Sequence, residues 1–233
     1  MISLFEGGSL PKISKLSFAA TDCLVSAFGG SALGPEVWVQ TENGRITAVI
    51  SRFGGRVNLT YMGGDKAEIR DFLNIIGFSE IFTEKSSALA LGFENFDSFT
   101  VLKKEVTKQK DFLEIPSLKG LYNALLEGED GDISLPAFEE FAADVSHRLR
   151  HAGAVCVLED FGAALCFCSQ SFGIINGISV KKGFRGKGIG SKLLKEVCEY
   201  FSGEVFVCTN QNTAEFYIKN GFSYFEETVI VRG

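Results

Sequence analysis

Residues 180–190, Val180-Lys181-Lys182-Gly183-Phe184-Arg185-Gly186-Lys187-Gly188-Ile189-Gly190, constrain this chain more than any other stretch. They leave an apolar strand-like segment, pass through a basic glycine-rich turn and run into an amphipathic helix. A helix that starts there points the unpaired N–H groups of its first turn outward, and its dipole adds partial positive charge. Glycines 186, 188 and 190 let the main chain approach a ligand with no Cβ in the way. Lys181, Lys182, Arg185, Lys187, Lys192 and Lys195 surround the turn, with no acid before Glu196. A polyanionic cofactor suits such a joint. The plainer reading is a strand–turn–helix corner with a solvated basic edge.

Spacing separates the phosphate motifs. The P-loop pattern G-x-x-x-x-G-K-[ST] fails, because position 181 is Lys and Gly186-Lys187 is followed by Gly188. The dinucleotide pattern G-x-G-x-x-G fails as well, because Gly186-Lys187-Gly188 is followed by Gly190 and then Ser191. R-x-x-G-x-G fits, with Arg185-Gly186-Lys187-Gly188-Ile189-Gly190. A second block follows: Asn210-Gln211-Asn212-Thr213-Ala214-Glu215-Phe216-Tyr217-Ile218-Lys219-Asn220-Gly221-Phe222.

These two blocks, one helix and one strand apart, resemble the signatures of the GNAT family of acyl-CoA-dependent N-acetyltransferases. The resemblance covers roughly residues 98–233, with the motifs confined to 174–222. It implies an α+β fold, a mixed and mostly antiparallel sheet flanked by helices, with acetyl-CoA as cosubstrate. By position, the backbone of Ile178-Ser179-Val180 would pair with the pantetheine arm. The amides of Arg185, Gly186, Lys187, Gly188, Ile189 and Gly190 would hold the diphosphate. Lys181, Lys182 or Lys187 could reach the 3′-phosphate. Asn210 would contact the cofactor, or only cap a helix. The implied chemistry is attack of a primary amine on the thioester through a tetrahedral intermediate. Tyr217 would protonate the leaving thiolate, since a phenol stays protonated at neutral pH; otherwise it is a packed helix tyrosine. The strand Ile174–Val180 carries no carboxylate, so no general base is named. Glu159, Asp160, His147 and His151 are expected on turns or polar helix faces. The missing acid leaves open a non-catalytic acyl-CoA-binding regulatory or scaffold module. The acceptor, a small-molecule or a protein amine, carries no motif.

Composition narrows the partners. The net charge is −6 and neither half is net basic, so the cations at 181–195 are a local feature, and nucleic acid is not an expected partner. Six cysteines form no C-x-x-C pair, and with two histidines they offer no expected metal site. Cys166 and Cys168 would share one strand face, as buried reduced thiols. No apolar run reaches the ~18 residues of a membrane span, and no signal peptide is recognised, so a cytoplasmic location is expected.

Along residues 98–233 the periodicity predicts a first strand at Asp97–Leu102 and helices from Pro116 to Leu126 and from Pro136 to near Gly153. Strands follow at Ala154–Leu158, Gly162–Ser169 and Ile174–Val180. A helix then runs from Ile189 to Phe201, with a strand at Glu204–Cys208, a helix capped by Asn212 and Glu215, and a last strand at Ser223–Val231. One parallel step is expected, at the glycine loop. Residues 1–97 form a smaller α+β unit. Strands are expected at Glu36–Gln40, Arg45–Ser51 and Arg56–Met62, and a helix at Asp65–Ile76. Setting Gly77-Phe78 over Gly221-Phe222 puts Leu73 at the place of Tyr217. The unit is thus either a degenerate GNAT-like half, without the glycine loop, or an unrelated extension. It could also support a homodimer.

Overall fold

The computed structural model describes residues 1–5, 17–22, 34–111, 115–127, 135–169 and 172–233. The acidic run 128–132 and Cys23 lie outside them. The first half contributes β1 (Ile2–Leu4), β2 (Glu36–Glu42), β3 (Arg45–Phe53), β4 (Arg56–Tyr61), α1 (Lys66–Ile76), β5 (Glu80–Glu84), α2 (Lys85–Leu91) and β6 (Asp97–Val106). The second half contributes α3 (Leu118–Glu127), α4 (Phe138–Arg150), β7 (Ala154–Glu159), β8 (Gly162–Cys168) and β9 (Phe172–Val180). Next come a 3₁₀ turn at Lys182–Phe184, α5 (Ile189–Cys198), β10 (Gly203–Thr209), α6 (Gln211–Lys219) and β11 (Ser223–Arg232). Short helical structure is also present at residues 18–22.

All eleven strands join in one sheet, ordered β1-β2-β3-β4-β5-β11-β6-β10-β9-β8-β7. Each half follows one plan: an antiparallel meander of three strands, a helix, a strand parallel to the third, a second helix and a ten-residue final strand. The final strands are exchanged. β6 of the first half pairs with β10, β11 of the second half pairs with β5, and the two lie side by side at the centre. The sheet therefore runs unbroken through residue 97. The parallel step expected at the glycine loop is present, β9 with β10, and the first half has its own, β4 with β5.

Alternation decides which face each strand buries. In β8, Ala164, Cys166 and Cys168 pack under α5 and α6, whereas Ala163 and Leu165 pack under α3 and α4. The Sγ atoms of Cys166 and Cys168 are 3.7 Å apart, as their shared face requires. Leu102 of β6 joins the α5–α6 core, and Val229 of β11, in register with Ser98, joins the α1–α2 core. Ser98 and Leu102 point the same way, so all four helices cover one face. The opposite face carries α3, α4 and the helical residues 18–22. There Phe18, Phe82, Val101, Ile174 and Phe206 form a core across the halves.

Two expectations about helices change. The helix of the second block is capped by Asn210, whose side chain accepts from the Thr213 N–H, and not by Asn212 with Glu215. The first-half counterpart of α6 is α2, since α1 instead lies between the two parallel strands, as α5 does. The hydrogen bonds agree. Phe93 N–H donates to Ala88 and Gly92 N–H to Leu89, just as Phe222 donates to Tyr217 and Gly221 to Ile218. On that match Ala88, not Leu73, occupies the place of Tyr217, and Ser87 that of Phe216.

Candidate active site

The parallel pair β9–β10 separates early. Its register runs Glu204–Phe172, Val205–Gly173 and Phe206–Ile174, then stops. The cause lies on the other edge of β9. There β8 pairs Cys166 with Ile175 and Leu165 with Gly177, which leaves Asn176 over as a β-bulge. A bulge bends its strand and increases local twist. From Ile175 to Val180, β9 is held only by β8, and its backbone edge toward β10 is open. Ile178, Ser179 and Val180 are in that segment, in register with Ala164, Ala163 and Gly162. The Ser179 hydroxyl is turned away, donating to the Ala124 carbonyl of α3.

β9 runs directly into the glycine loop. Lys181 N–H donates to the Phe161 carbonyl (2.9 Å), and Phe184 stacks on Phe161. Arg185 folds back, its Nε donating to the Val180 carbonyl (3.0 Å), while its N–H donates to Lys182 across the 3₁₀ turn. Gly186 and Gly188 take left-handed φ values of 74° and 79°, which other residues adopt only under strain. Gly183 and residues 185–188 are exposed. The first hydrogen bond of α5 is Lys192 N–H to the Gly188 carbonyl, so the N–H groups before it face out of the helix start. Gly190 has a different task, because a Cβ there would lie 3.3 Å from the Phe216 ring; it lets α5 pack on α6.

The basic cluster is partly neutralised in space. Lys181 lies 3.8 Å from Glu127, Lys192 3.0 Å from Glu159 and Lys195 3.9 Å from Glu199. Lys182 and Lys187 have no acid within ion-pair distance among the described residues. Glu159 is thus occupied at the glycine-loop helix.

Tyr217 belongs to the α5–α6 core, which also takes in Ile175, Ile178 and Val207 of the two separated strands. It is 7% exposed, and its ring meets Phe222 edge-on at 5.6 Å. Burial pushes its phenol up to about 12. Asn210 Oδ1 also takes the Thr213 hydroxyl at 2.8 Å, so its cap is doubly held.

On the opposite face, a cavity of about 420 Å³ opens where β9 and β10 part. Asn176 and Cys208, just beyond the last paired residues, reach it. The first half supplies Phe18, Asp22, Phe53, Arg56 and Phe82, and α4 supplies Glu140, Phe141 and Asp144. Asp22 accepts from Asn58 Nδ2 (2.8 Å) with Arg56 3.8 Å away, and Asp144 accepts from Arg148 (2.8 Å). Glu140 has no hydrogen-bond or ion-pair partner among the described residues. Burial raises the Cys208 thiol to about 11, so it stays neutral at neutral pH. The sequence did not single out these residues for the site, because they come from distant segments with no common spacing. His147 and His151 stack on each other at 4.4 Å and do not line the cavity.

Split parallel strands, a glycine-rich helix start on one face and a cavity on the other thus stand in one region of the sheet. The family model for the acetyltransferase (GNAT) domain matches residues 151–224, and this segment of the chain is a GNAT domain. Among solved structures, a GCN5-related N-acetyltransferase from Sphaerobacter thermophilus superposes with a TM-score of 0.55 at 18% identity, over 88% of this chain and 82% of its own. One from Kribbella flavida gives 0.53 at 10% identity, over 79% and 85%. A tandem GNAT protein from the clavulanic acid biosynthesis pathway gives 0.51 at 12% identity, over 95% and 90%. At these identities the likeness is one of fold. No curated protein matches the sequence. No helix among the described residues is long and apolar enough to cross a membrane.

Proposed function

We propose that the protein transfers an acetyl group from acetyl-CoA to a primary amine by direct attack. The observation that carries this is the early parting of β9 from β10, with the glycine loop at the end of β9 and a cavity that reaches Asn176 and Cys208 just past the last paired residues. The residues fit acetyl-CoA. The open edge of Ile178–Val180 offers N–H and C=O groups to an amide-rich arm. The outward amides around Gly186–Gly190 suit a diphosphate, and Gly186 and Gly188 present no side chain. Lys182 and Lys187, which have no acid partner among the described residues, are the cations to meet a further phosphate, although Lys187 Nζ also donates to the Gly183 carbonyl at 3.1 Å.

Tyr217 supplies the proton. Its burial keeps the phenol protonated across the working pH range, and the collapsing adduct returns a thiolate that needs a proton. Beyond the paired residues the two strands carry no carboxylate, and Glu204, at the paired end of β10, is held by Lys103, so the amine loses its proton toward the acids and water of the cavity. The first half lacks the glycine loop, so it is read as a degenerate GNAT-like half that shapes the acceptor side and takes no cofactor. The tandem neighbour makes two such units in one chain a known arrangement for the fold.

Calorimetry with acetyl-CoA, followed by amine-dependent CoA release, tests the reading. Saturable binding of about one equivalent and release that requires an amine are expected. Binding with no turnover over a broad amine panel would reduce the protein to a binding module.

A further inference from the structure

The cavity has a chemical character of its own. Resting on the acyltransferase reading, we infer that the acceptor is a small primary amine with a flat apolar body and no carboxylate, bound by both halves together. About 420 Å³ is the size of a small-molecule pocket. Six phenylalanines stand in the walls, Phe18, Phe53, Phe82 and Phe99 from the first 99 residues and Phe141 and Phe167 from the rest. Aromatic walls favour aromatic or branched apolar bodies through offset and edge contacts.

The charges set the sign. Asp22, Glu140 and Asp144 face one cation, Arg56. That cation is already committed. It lies 3.8 Å from Asp22 and 3.9 Å from Glu80, donates to Asn58 and stacks over Phe82 at 4.7 Å. A ligand carboxylate would therefore meet carboxylates, whereas an ammonium would be welcome. Glu140 is the acid with no partner among the described residues, so it is the one that receives the incoming cation. The cavity also reaches the split at Asn176 and Cys208, where the acyl group would emerge.

The intact protein, acetyl-CoA and four acceptors test this: 2-phenylethylamine, L-phenylalanine, butylamine and a lysine-containing peptide. 2-Phenylethylamine should lead in kcat/KM. L-Phenylalanine, the same body with a carboxylate, should fall at least about tenfold behind, since like-charge contacts cost a few kcal/mol. Glu140→Gln and Phe53→Ala, both at exposed positions, should each raise KM for 2-phenylethylamine about fivefold to tenfold and leave KM for acetyl-CoA unchanged. A lead for L-phenylalanine or the peptide, or the absence of any effect of both variants, would overturn the inference. Acetyl-CoA binding would survive that result. Failure to bind acetyl-CoA would instead sink the acyltransferase reading beneath it.

Discussion

The two halves of this molecule follow one plan and differ at one joint. In the second half β9 and β10 stay paired for three residues and then part, and a glycine loop leads into α5. In the first half β4 and β5 stay in register from Arg56–Glu80 to Leu59–Thr83, one residue short of the end of β5. What remains is sealed by α2. Ser87 Oγ accepts from the Tyr61 N–H (3.4 Å) and lies 3.3 Å from the Tyr61 carbonyl and 2.6 Å from Glu84 Oε2. Where one half leaves a backbone edge open, the other covers it with its own side chain. The position matching Tyr217 holds Ala88, and the connection from β4 to α1 carries no basic glycine turn. A shared fold thus gives no site unless the strands part, which in the second half follows from the bulge at Asn176.

The sharpest way to break this comparison is to separate the halves. A fragment of residues 98–233 keeps the whole glycine-loop unit but removes β5, which pairs with β11 over five residues. It also bares Val229 and Val231, which pack under α1 and α2. Exposing such an edge and such a face invites aggregation. The fragment is expected to show no cooperative thermal transition and no acetyl-CoA binding. A soluble fragment that binds as well as the full chain would make the exchanged strands dispensable.

Next in size is the loss of the phenol. Tyr217→Phe should lower kcat about 100-fold or more, the usual contribution of a positioned acid, with KM for acetyl-CoA nearly unchanged. Unchanged turnover would return Tyr217 to a packing role. The same residue marks alkaline stability. Its folded pKa of about 12 lies above the ordinary value of 10, so its contribution is complete below pH 10 and is lost as pH rises through 12. Two pH units correspond to at most about 3 kcal/mol. Denaturant melts between pH 9 and 12 should therefore slope less steeply in Tyr217→Phe than in the native chain.

Smaller again is a substitution in the loop. Gly188→Ala forces an alanine to a φ of 79° at the start of α5, at a cost of about 1–2 kcal/mol. It also places a methyl group beside the outward amides. Acetyl-CoA affinity should fall about tenfold, while the same change at Gly77, also at positive φ but on the first half, should leave affinity unaltered. Equal losses at both positions would mean that the effect is general instability.

The glycine loop, α5, α6 and the meander β7–β9 were legible because each rests on local signals: glycine at positive φ, a helical apolar stripe, turns between alternating strands. α1 was legible from its end at Gly77-Phe78, and Asp65, read as its first residue, is its cap. β5 was not, since Glu80–Glu84 is five residues with no turn signal of its own. α2 was missed because it has seven residues and no side-chain cap, and that omission shifted the internal alignment onto α1. The strand exchange depends on which distant strand is met, a choice that no local spacing records. The cavity fails for the same reason: Asp22, Arg56, Glu140 and Cys208 converge only after the halves share one sheet.

The mildest test concerns the sealed joint. Glu84 is 3% exposed, and its Oε1 has no hydrogen-bond partner among the described residues. Its other oxygen accepts from the Ser87 hydroxyl at 2.6 Å and more loosely from Thr83 at 3.4 Å. Ser87→Ala would remove the shorter contact, at a cost of about 1.5–3 kcal/mol for a hydrogen bond to a carboxylate. It would also loosen the hold of α2 on Tyr61. Activity should be unchanged, because nothing in this joint touches the cavity or the glycine loop. If parting β4 from β5 were all that the first half lacks, the variant should gain a second, weak acetyl-CoA site. It should not, because the turn there, Gly63-Gly64-Asp65, carries no cation, and Asp65 already accepts from the Ala67 and Glu68 N–H groups at the start of α1. Calorimetry that still reports about one equivalent, on a protein melting a few degrees lower, would place the difference between the halves in the loop as well as in the strands.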